Sequence, residues 1–472
     1  MQKLHAEFED TAWSYKPFTG CYPQTLHFDI KTKIKNQRSK VNMKNRIYEL
    51  KNFYILWSTQ GLSQLGSAMT NFALTLWLYQ ATGSALQTAL LTICSFAPYV
   101  TMSIFAGALS DKWDKKKTML VCDTFAACCT VIVLILLKTG LLRAWHLYVL
   151  NAVNGLMNTV QRPASDVANT LIIPKKYYQK TSGLRSFSGS LITILHPMLA
   201  SSLFALGGMD AVIAVDLSTF FIAFISLLLF VKIPPVEASA SGENETLFES
   251  VKAGLKCLNE NRMVLMLILF MAGVNLAASA FDAVLPAFIL PRDNGGETIL
   301  GIVTSTAGIA MLAGSLLVSV LPAPKDRIRL IVATMLFSLT TDNFLMSLTR
   351  SPFAWCIAQV LGYFPVPLMN ASLDVIMRST IPAEMQGRVY SCRNTLQFFT
   401  IPAGHFLGGW MVDVICEPLM EHIPAESMIV SFFGSGKGSG AGLMIFILGL
   451  LGMLICLVFG RILRKYNYEE QV

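Results

Sequence analysis

The chain has 472 residues, of which 53% are hydrophobic and only 14% are charged, and its formal net charge is +8. Because a soluble domain carries about 25% charged residues, this composition excludes an ordinary soluble protein. The basic excess does not indicate nucleic acid as a partner, since membrane proteins concentrate lysine and arginine against the anionic inner leaflet of the lipid bilayer. The sequence therefore predicts an all-α polytopic membrane protein.

Long apolar runs give the number of membrane spans. A helix needs about 20 mostly apolar residues to cross the hydrocarbon layer. Twelve runs meet this requirement, at 53–79, 86–109, 118–138, 145–162, 185–206, 210–232, 263–291, 298–321, 328–348, 353–372, 392–413 and 441–461. We predict twelve transmembrane helices, arranged as two six-helix halves around a central cavity, because the long connection at 233–262 separates six runs from six.

The same pattern predicts the domain boundaries. We expect a basic, disordered cytoplasmic tail at 1-45, a first half at 46-232, a cytoplasmic linker at 233-262, a second half at 263-466 and a short cytoplasmic tail at 467-472. Met43 is an alternative start to Met1, because MKNRIYELKNFYILW already supplies the basic flank of a first span. Deletion of 1–42 should then leave activity intact.

Lysine and arginine predict the orientation, since they accumulate in cytoplasmic loops. The alternate loops that share a side with both termini hold most of these residues, including Lys115, Lys116 and Lys117. The opposite loops hold only Lys138, Arg143, Arg292, Arg350 and Lys437. Both termini should therefore be cytoplasmic.

The two halves show internal similarity. DVANTLIIPKKYYQ begins at Asp166 and DVIMRSTIPAEMQG begins at Asp374, and the same shift of 208 residues brings Pro174 onto Pro382. The shared Asp-Val and Ile-Pro pairs at this spacing favour a duplication. Parallel repeats of six spans are typical of transporters.

Polar residues form stripes along four predicted helices, at three-helix intervals. In lipid, a polar side chain must face protein or a water-filled cavity, and residues three or four apart share a helix face. The stripes comprise Gln60, Gln64, Ser67 and Asn71; Asn151, Asn154, Asn158 and Arg162; Asn275, Ser279 and Asp282; and Gln359, Tyr363 and Asn370. One stripe alone more often serves hydrogen bonding between helices. Four stripes favour a polar substrate cavity between the halves, to which we assign all of these residues except Ser67, Arg162 and Asp282.

The segment GALSDKWDKKK begins at Gly107 and resembles the loop between the second and third helices of the major facilitator superfamily. The family pattern is Gly-x-Leu-x-Asp-Arg-x-Gly-Arg-Arg/Lys, and it is matched by Gly107, Leu109, Asp111, Lys115 and Lys116. The alternative is a basic loop that only sets the topology. The resemblance implies transport by alternating access, with Gly107, Asp111, Lys115 and Lys116 as a conformational latch of the outward-open state.

Two further segments, RPASDVANTLIIPKKYYQKTSGL and GRVYSCRNTLQFFTIPAGHFLGG, look most like the macrolide-efflux-type drug exporters of bacteria. This resemblance implies a location in the bacterial cell membrane. Two departures concern the residues that the family commonly uses for proton antiport. The fifth predicted helix keeps Pro197, after His196, but lacks the family's neighbouring glycines, and the fourth has Asn151 or Asn154 in place of a central arginine.

A transporter driven by an ion gradient needs a buried group that changes charge during the cycle. Asp282 is our candidate for proton coupling, because it lies on the polar stripe of the seventh span, where burial and a bound cation would act on its ionisation in opposite directions. A structural hydrogen bond to a neighbouring helix is the alternative. Asp216, Asp342 and Asp413 lie nearer to span ends, so we expect them to act as anchors.

Other classes of function have less support. GSGKGSG at 434–440 lacks the GxxxxGK[ST] spacing of a phosphate loop, and the sequence has no HExxH or comparable spacing for a metal or a nucleophile. We therefore expect no catalytic residue, no metal and no cofactor. The predicted function is secondary active export of amphiphilic small molecules such as drugs or macrolides, driven by the proton gradient (H+), in a protein that works as a monomer. The alternatives are an importer or metabolite exporter of the same fold and, less favoured, a non-transporting membrane sensor.

Overall fold

The computed structural model describes residues 49–234, 247–322, 324–424 and 426–466. The predicted tails and the candidate start at Met43 lie outside these residues. The described residues form helices and no strand, with bounds as follows: α1 Lys51–Thr82, α2 Ala85–Lys112, α3 Lys115–Lys138, α4 Ala144–Ile172, α5 Tyr178–Leu229, α6 Leu247–Glu260, α7 Arg262–Ile289, α8 Glu297–Val320, α9 Arg327–Leu348, α10 Pro352–Tyr363, α11 Val366–Thr380, α12 Ala383–Phe398, α13 Thr400–Met411, α14 Glu417–His422, α15 Met428–Phe433 and α16 Ser439–Leu463.

Each predicted span falls in one of these helices or in consecutive helices, so the all-α polytopic fold is confirmed. Within the described residues, nine helical stretches are long and apolar enough to cross a membrane. One of them, Lys180–Leu229, has 50 residues and covers two predicted spans. Helices α1 and α4 are not among the nine, because their polar stripes interrupt the apolar sequence.

The connection between the fifth and sixth spans differs from the prediction. The two spans form one run, α5, which turns at Gly208, where φ is +62° and ψ is −162°. Glycine adopts this positive φ readily because it lacks a Cβ atom. A single non-helical residue therefore replaces the expected loop.

Part of the predicted linker is helical. Helix α6 has the sequence LFESVKAGLKCLNE, whose apolar residues recur at helical spacing and favour an amphipathic helix. Its residues Cys257 and Leu258 are buried in one hydrophobic cluster with Val264 and Val389 of the second half. At Gly254, a Cβ atom would lie 2.8 Å from the carbonyl oxygen of Arg388, so glycine allows α6 to approach α12 closely.

The helix ends define two faces. We call the face that carries the turn between α2 and α3 and the turn between α4 and α5 the basic face, and the face that carries the α1–α2, α7–α8 and α9–α10 connections the opposite face. At the opposite face, one hydrophobic core contains residues of both halves, among them Leu78, Ile213, Phe288 and Trp355.

At the basic face, the two halves have separate cores. The core of the first half includes Leu56 and Leu227, whereas that of the second includes Ile331 and Met377. Because apolar burial is the main favourable term in packing, the halves are held together chiefly at the opposite face.

Asp413 joins the halves at the opposite face. Its carboxylate accepts hydrogen bonds from the Ser84 hydroxyl (2.6 Å) and from the backbone N–H groups of Ala85 (3.0 Å) and Leu86 (2.9 Å). These groups form the start of α2, where N–H groups have no partner inside the helix and the helix dipole favours negative charge. Gly409 allows α13 to approach α2 closely, since a Cβ atom at this position would lie 2.7 Å from Leu86 Cα. Asp413 is therefore an anchor, as its place near a span end suggested.

Candidate functional site

A polar cavity of about 510 Å³ lies among α1, α3, α4 and α5 of the first half. The stripes of α1 and α4 both face it, because their residues are spaced by three or four and so share one side of each helix. Five of the predicted cavity residues line it, namely Gln60, Gln64, Asn71, Asn154 and Asn158. The lining extends from Asn71, near the middle of α1, to Asp166 and Arg185, close to the basic face.

Asp123 of α3 contributes a carboxylate to this cavity. The residue is 8% exposed, and its two oxygens accept hydrogen bonds from the side-chain amides of Gln60 (3.0 Å) and Gln161 (2.6 Å). Both donors are neutral, and within the described residues no lysine or arginine forms a salt bridge with Asp123. Since a buried carboxylate is costly without a compensating charge, a cation in the cavity would complete this site.

Asp216, in the second part of α5, supplies a second carboxylate. It is 4% exposed and accepts hydrogen bonds from the hydroxyls of Ser67 (3.1 Å), Thr70 (2.9 Å) and Thr130 (3.3 Å). Gly66 brings α1 against this part of α5, because a Cβ atom there would lie 3.0 Å from Asp216 Cα. Asp216 thus accepts hydrogen bonds from three hydroxyls and also lines the cavity. We expected it to act only as an anchor near a span end.

Cationic side chains lie at the end of the cavity nearest the basic face. Arg185 forms a salt bridge with Asp166. The guanidinium carbon of Arg162 lies 5.8 Å from the centre of the Tyr99 ring, which is within the range of a cation–π contact. Both arginines line the cavity, but their described partners are Asp166 and Tyr99 rather than the two deeper carboxylates.

A second cavity, of about 340 Å³, adjoins the first at Asn71. It contains the remaining first-half candidate, Asn151, together with His196. Asn151 donates a hydrogen bond from its amide to the Leu147 carbonyl (3.0 Å), one turn earlier in α4. All six candidates of the first half therefore face one of two adjacent cavities.

The candidates of the second half lie in a different environment. The amide of Asn275 donates to the carbonyl oxygen of Gln397 (3.2 Å), which joins α7 to α12. Ser279 and Gln359 are buried, and the amide nitrogen of Gln359 has no hydrogen-bond partner within the described residues. Asn370, on α11, is exposed.

Asp282 and Tyr363 come together between α7 and α10. The Tyr363 hydroxyl lies 3.5 Å from Asp282 Oδ1. Asp282 is accessible to solvent, so it differs from the buried group that the sequence predicted. His405 and Asp342 are close enough to interact electrostatically with Asp282. Asp282 therefore has a phenol hydroxyl as its described hydrogen-bond partner, whereas Asp123 is bonded by two amides and Asp216 by three aliphatic hydroxyls.

Comparison with known proteins agrees with this architecture. The sequence profile of the Major Facilitator Superfamily matches residues 56–404, which is most of the membrane-spanning part. The chain belongs to the major facilitator superfamily.

Relatives within the superfamily include drug exporters. The chain is 25% identical over 366 residues to macrolide efflux protein A of Streptococcus pyogenes, covering 77% of this chain and 90% of the relative. It is 24% identical over 325 residues to macrolide efflux protein A of Enterococcus faecalis, covering 68% of this chain and 99% of the relative. A solved bacterial homologue of the human lysosomal transporter Spinster, in an inward-facing and occupied conformation, shares the fold with a TM-score of 0.65 at 12% identity, over 89% of this chain and 98% of that one.

The segment that resembles the superfamily's loop between helices two and three is described in part. Gly107 and Asp111 lie in the last turns of α2, and the structure does not describe the surroundings of either residue. Lys115 is buried, and its ammonium group donates to the Trp113 carbonyl (3.1 Å). Lys116 donates to the carbonyls of Leu228 (3.0 Å) and Val231 (2.8 Å), at the end of α5. A cation there is favourable because these carbonyls form the negative end of the helix dipole.

The search along the four stripes missed Asp123 and Gln161. A signal for Asp123 is present in the sequence, since it is an acidic residue inside the third apolar run and such residues usually have a role in the membrane. Gln161 lies beside Arg162 but off the selected stripe, and its role depends on α3 standing next to α4. That neighbour relationship is a property of the superfamily fold rather than of the local sequence.

Proposed function

We propose that this transporter exports amphiphilic small molecules, such as drugs or macrolides, by alternating access driven by the proton gradient. The relatives named macrolide efflux protein A support the substrate class. Under the proposal, the basic face and both termini lie in the cytoplasm of a bacterial cell, and one molecule in the plasma membrane is the working unit. Among the described residues, the hydrophobic core common to both halves lies at the opposite face. Under the proposal the halves therefore form an inward-open carrier.

The observation that carries the proposal is the pair of carboxylates in the cavity. Asp123 and Asp216 have amide and hydroxyl donors around them, and no described lysine or arginine bonds to either. An organic cation would supply the missing charge, while Leu217 and Phe220 of the lining would contact its apolar part. The volume, about 510 Å³, lies within the range of about 300–1,000 Å³ that is usual for small-molecule sites. The favoured substrate is therefore an amphiphilic amine.

We assign proton coupling to Asp282 and substrate binding to the first half. Asp282 lies 3.5 Å from the Tyr363 hydroxyl, which can donate a hydrogen bond to the carboxylate and so help to hold it in the cycle. Binding of a cation between Asp123 and Asp216 leaves Asp282 free to take up a proton. Substrate and proton then act on different halves, and the change between inward-open and outward-open states couples them.

The test measures how much of a labelled macrolide and of a cationic dye accumulates in energised cells, with and without a protonophore. Cells carry the vector, the native protein, Asp282→Asn, Asp123→Asn or the control Asp210→Asn, which removes an exposed carboxylate of the first half. Native protein and Asp210→Asn should lower accumulation relative to the vector. The protonophore, Asp282→Asn and Asp123→Asn should each restore it, with membrane levels of every variant measured in parallel.

The outcomes separate the parts of the proposal. Unchanged accumulation of every compound in native cells would contradict drug export and direct the work to metabolites and to uptake. Export that persists in the presence of the protonophore would contradict proton coupling. If the Asp123→Asn variant exported both compounds as well as the native protein does, the Asp123 carboxylate would not be needed for substrate binding.

A further inference from the structure

Three cations converge on one pocket at the opposite face. The opposite loops contain few cations, as the distribution of lysine and arginine across membranes requires. Nevertheless Arg292, Arg350 and Lys437 all line a pocket of about 370 Å³, although they come from three separate connections. Lys138, another cation of this face, instead forms a salt bridge with Asp210 (2.5 Å). The convergence therefore needs a reason beyond topology.

The two guanidinium groups are held in place but keep donors available. Arg292 lies 4.1 Å above the centre of the Phe288 ring, and one of its amino groups donates to the carbonyls of Phe433 (3.2 Å) and Gly438 (3.1 Å). Its Nε is buried and has no hydrogen-bond partner within the described residues. Arg350 donates from one amino group to the Ser431 carbonyl (2.9 Å). The same amino group of Arg350 also lies 3.4 Å from the Val430 carbonyl. Each arginine has five donor hydrogens, and these bonds use one amino group of each, so the other amino group is left to donate to a ligand.

The positive charge of the pocket lacks a compensating salt bridge. Within the described residues, no carboxylate forms one with Arg292, Arg350 or Lys437. Asp293 is the acidic residue of the lining, so cations outnumber acids there. Burial and the charge of neighbouring Arg350 lower the pKa of Arg292 to about 10.

Within the described residues, the nearby carboxylate of Glu417 caps the start of α16 and forms no salt bridge with the three cations. Its Oε1 accepts hydrogen bonds from the backbone N–H groups of Gly438 (3.0 Å) and Ala441 (3.1 Å), at the start of α16. The same loop carries Lys437 between Gly436 and Gly438, whose φ values are +83° and +89°. These left-handed conformations suit glycine, and they hold Lys437 at the pocket. The glycine-rich segment at 434–440, which lacks the spacing of a nucleotide phosphate loop, thus places a lysine in the pocket lining.

We propose that this pocket binds the phosphate group of an anionic ligand, either a phospholipid headgroup of the adjacent leaflet or free phosphate. Guanidinium and ammonium groups bind phosphate oxygens through short, charge-assisted hydrogen bonds. The pocket lies beyond the end of α7 and beside the start of α16, in connections of the opposite face, where helices that span a membrane end and a phosphate group of either source can reach it. The site is separate from the polar cavity and does not depend on the proposed export.

The test uses full-length, delipidated protein in detergent. One arm titrates inorganic phosphate and follows the melting temperature. The other adds phosphatidylglycerol, or diacylglycerol with the same acyl chains but no phosphate, and counts retained lipid by native mass spectrometry. Each arm compares native protein, Lys437→Gln, Lys437→Arg and the control Lys138→Gln, which removes a cation of the same face outside the pocket. Lys437 is exposed, so its substitution should leave the fold intact.

We expect Lys437→Gln to weaken binding at least about tenfold, as loss of one charge-assisted hydrogen bond does, with Lys437→Arg and Lys138→Gln close to native. Retention of phosphatidylglycerol without a phosphate effect assigns the site to lipid, whereas stabilisation by phosphate assigns it to a soluble anion. The proposal is overturned if neither ligand binds, if diacylglycerol binds as well as phosphatidylglycerol and phosphate has no effect, or if Lys437→Gln and Lys138→Gln behave alike.

Discussion

The two halves of this transporter use their polar residues in different ways. In the first half, the carboxylates of Asp123 and Asp216 have partners on neighbouring helices and also face a cavity. In the second half, several buried polar atoms have no hydrogen-bond partner within the described residues, namely those of Ser305, Asp342, Asn343 and Gln359. Polar stripes of similar spacing therefore lie in two different environments.

Helix packing explains the difference. Helix α7 of the second half is buried along most of its length, and α13 lies directly against it, since a Cβ atom at Gly408 would be 2.6 Å from the Ala280 carbonyl. The approach at Gly61 of α1 is looser, since a Cβ atom there would meet only the Ser188 hydroxyl, at 3.9 Å, although α1 packs closely on α5 one turn further along, at Gly66. A polar stripe lines a cavity where helices stand apart and becomes a packing contact where they close.

Glycine substitutions should expose this contrast most strongly. Gly408→Ala should lower the free energy of unfolding by about 1–3 kcal/mol, because overpacking forces the backbones of α7 and α13 apart. Gly61→Ala should leave stability unchanged or raise it by up to about 1 kcal/mol, since alanine favours a helix more than glycine does. Thermal unfolding of both purified variants measures the difference. Equal destabilisation would mean that the two halves are packed alike.

Replacing the two buried aspartates, Asp216 and Asp342, by asparagine should change the stability of the protein in different directions. Asp216→Asn should destabilise the protein by about 1–3 kcal/mol, because three hydroxyl donors lose part of their shared acceptor. Asp342→Asn should be neutral or stabilising, since one oxygen of Asp342 is buried without a partner in the described residues and an amide is less costly to bury than a charge. The denaturation midpoints of both variants and of the native protein, measured in the same detergent, test this prediction. A larger loss for Asp342→Asn would reverse the comparison.

The contact between the halves predicts a shift in conformation rather than a loss of fold. Asp413→Asn weakens the cap on α2 by about 0.5–2 kcal/mol, which should raise several-fold the population that is open at the opposite face. A spin-label pair at the exposed Leu141 and Met428, both on the opposite face, should show a larger long-distance fraction by double electron–electron resonance. Ser431→Ala, on the same face but away from the cap, serves as control. An unchanged distance distribution in Asp413→Asn would contradict the role of this cap in closure.

The smallest effect should come from the surface of the first half. The Lys138–Asp210 pair is solvent-exposed, with side chains 62% and 48% accessible, and exposed pairs of this kind contribute about 0–1 kcal/mol. Lys138→Ala should therefore change the melting temperature little, and less still at high salt, because ions screen the pair. A salt-insensitive loss as large as that of Asp216→Asn would show that this surface matters more than the cavity to the stability of the first half.

The sequence by itself determined the membrane class, the twelve spans and the polar faces of α1 and α4, because hydropathy and helical spacing depend only on residues close together in the chain. The superfamily was identified from one loop segment and confirmed by a match over residues 56–404. The six candidates from Gln60 to Asn158 all face cavities for the same local reason.

Only the tertiary structure decided which polar residues meet. The bonds of Asp123 to Gln60 and Gln161 join three helices, and the cap of Asp413 on α2 joins residues more than 300 positions apart. Local spacing cannot predict either, because it does not say which helices are neighbours or how closely they pack. The same holds for Asn275 and Gln359, whose stripe positions resemble those of the first half. Asn275 bonds to a carbonyl of α12, and Gln359 is buried with its amide nitrogen unpartnered within the described residues.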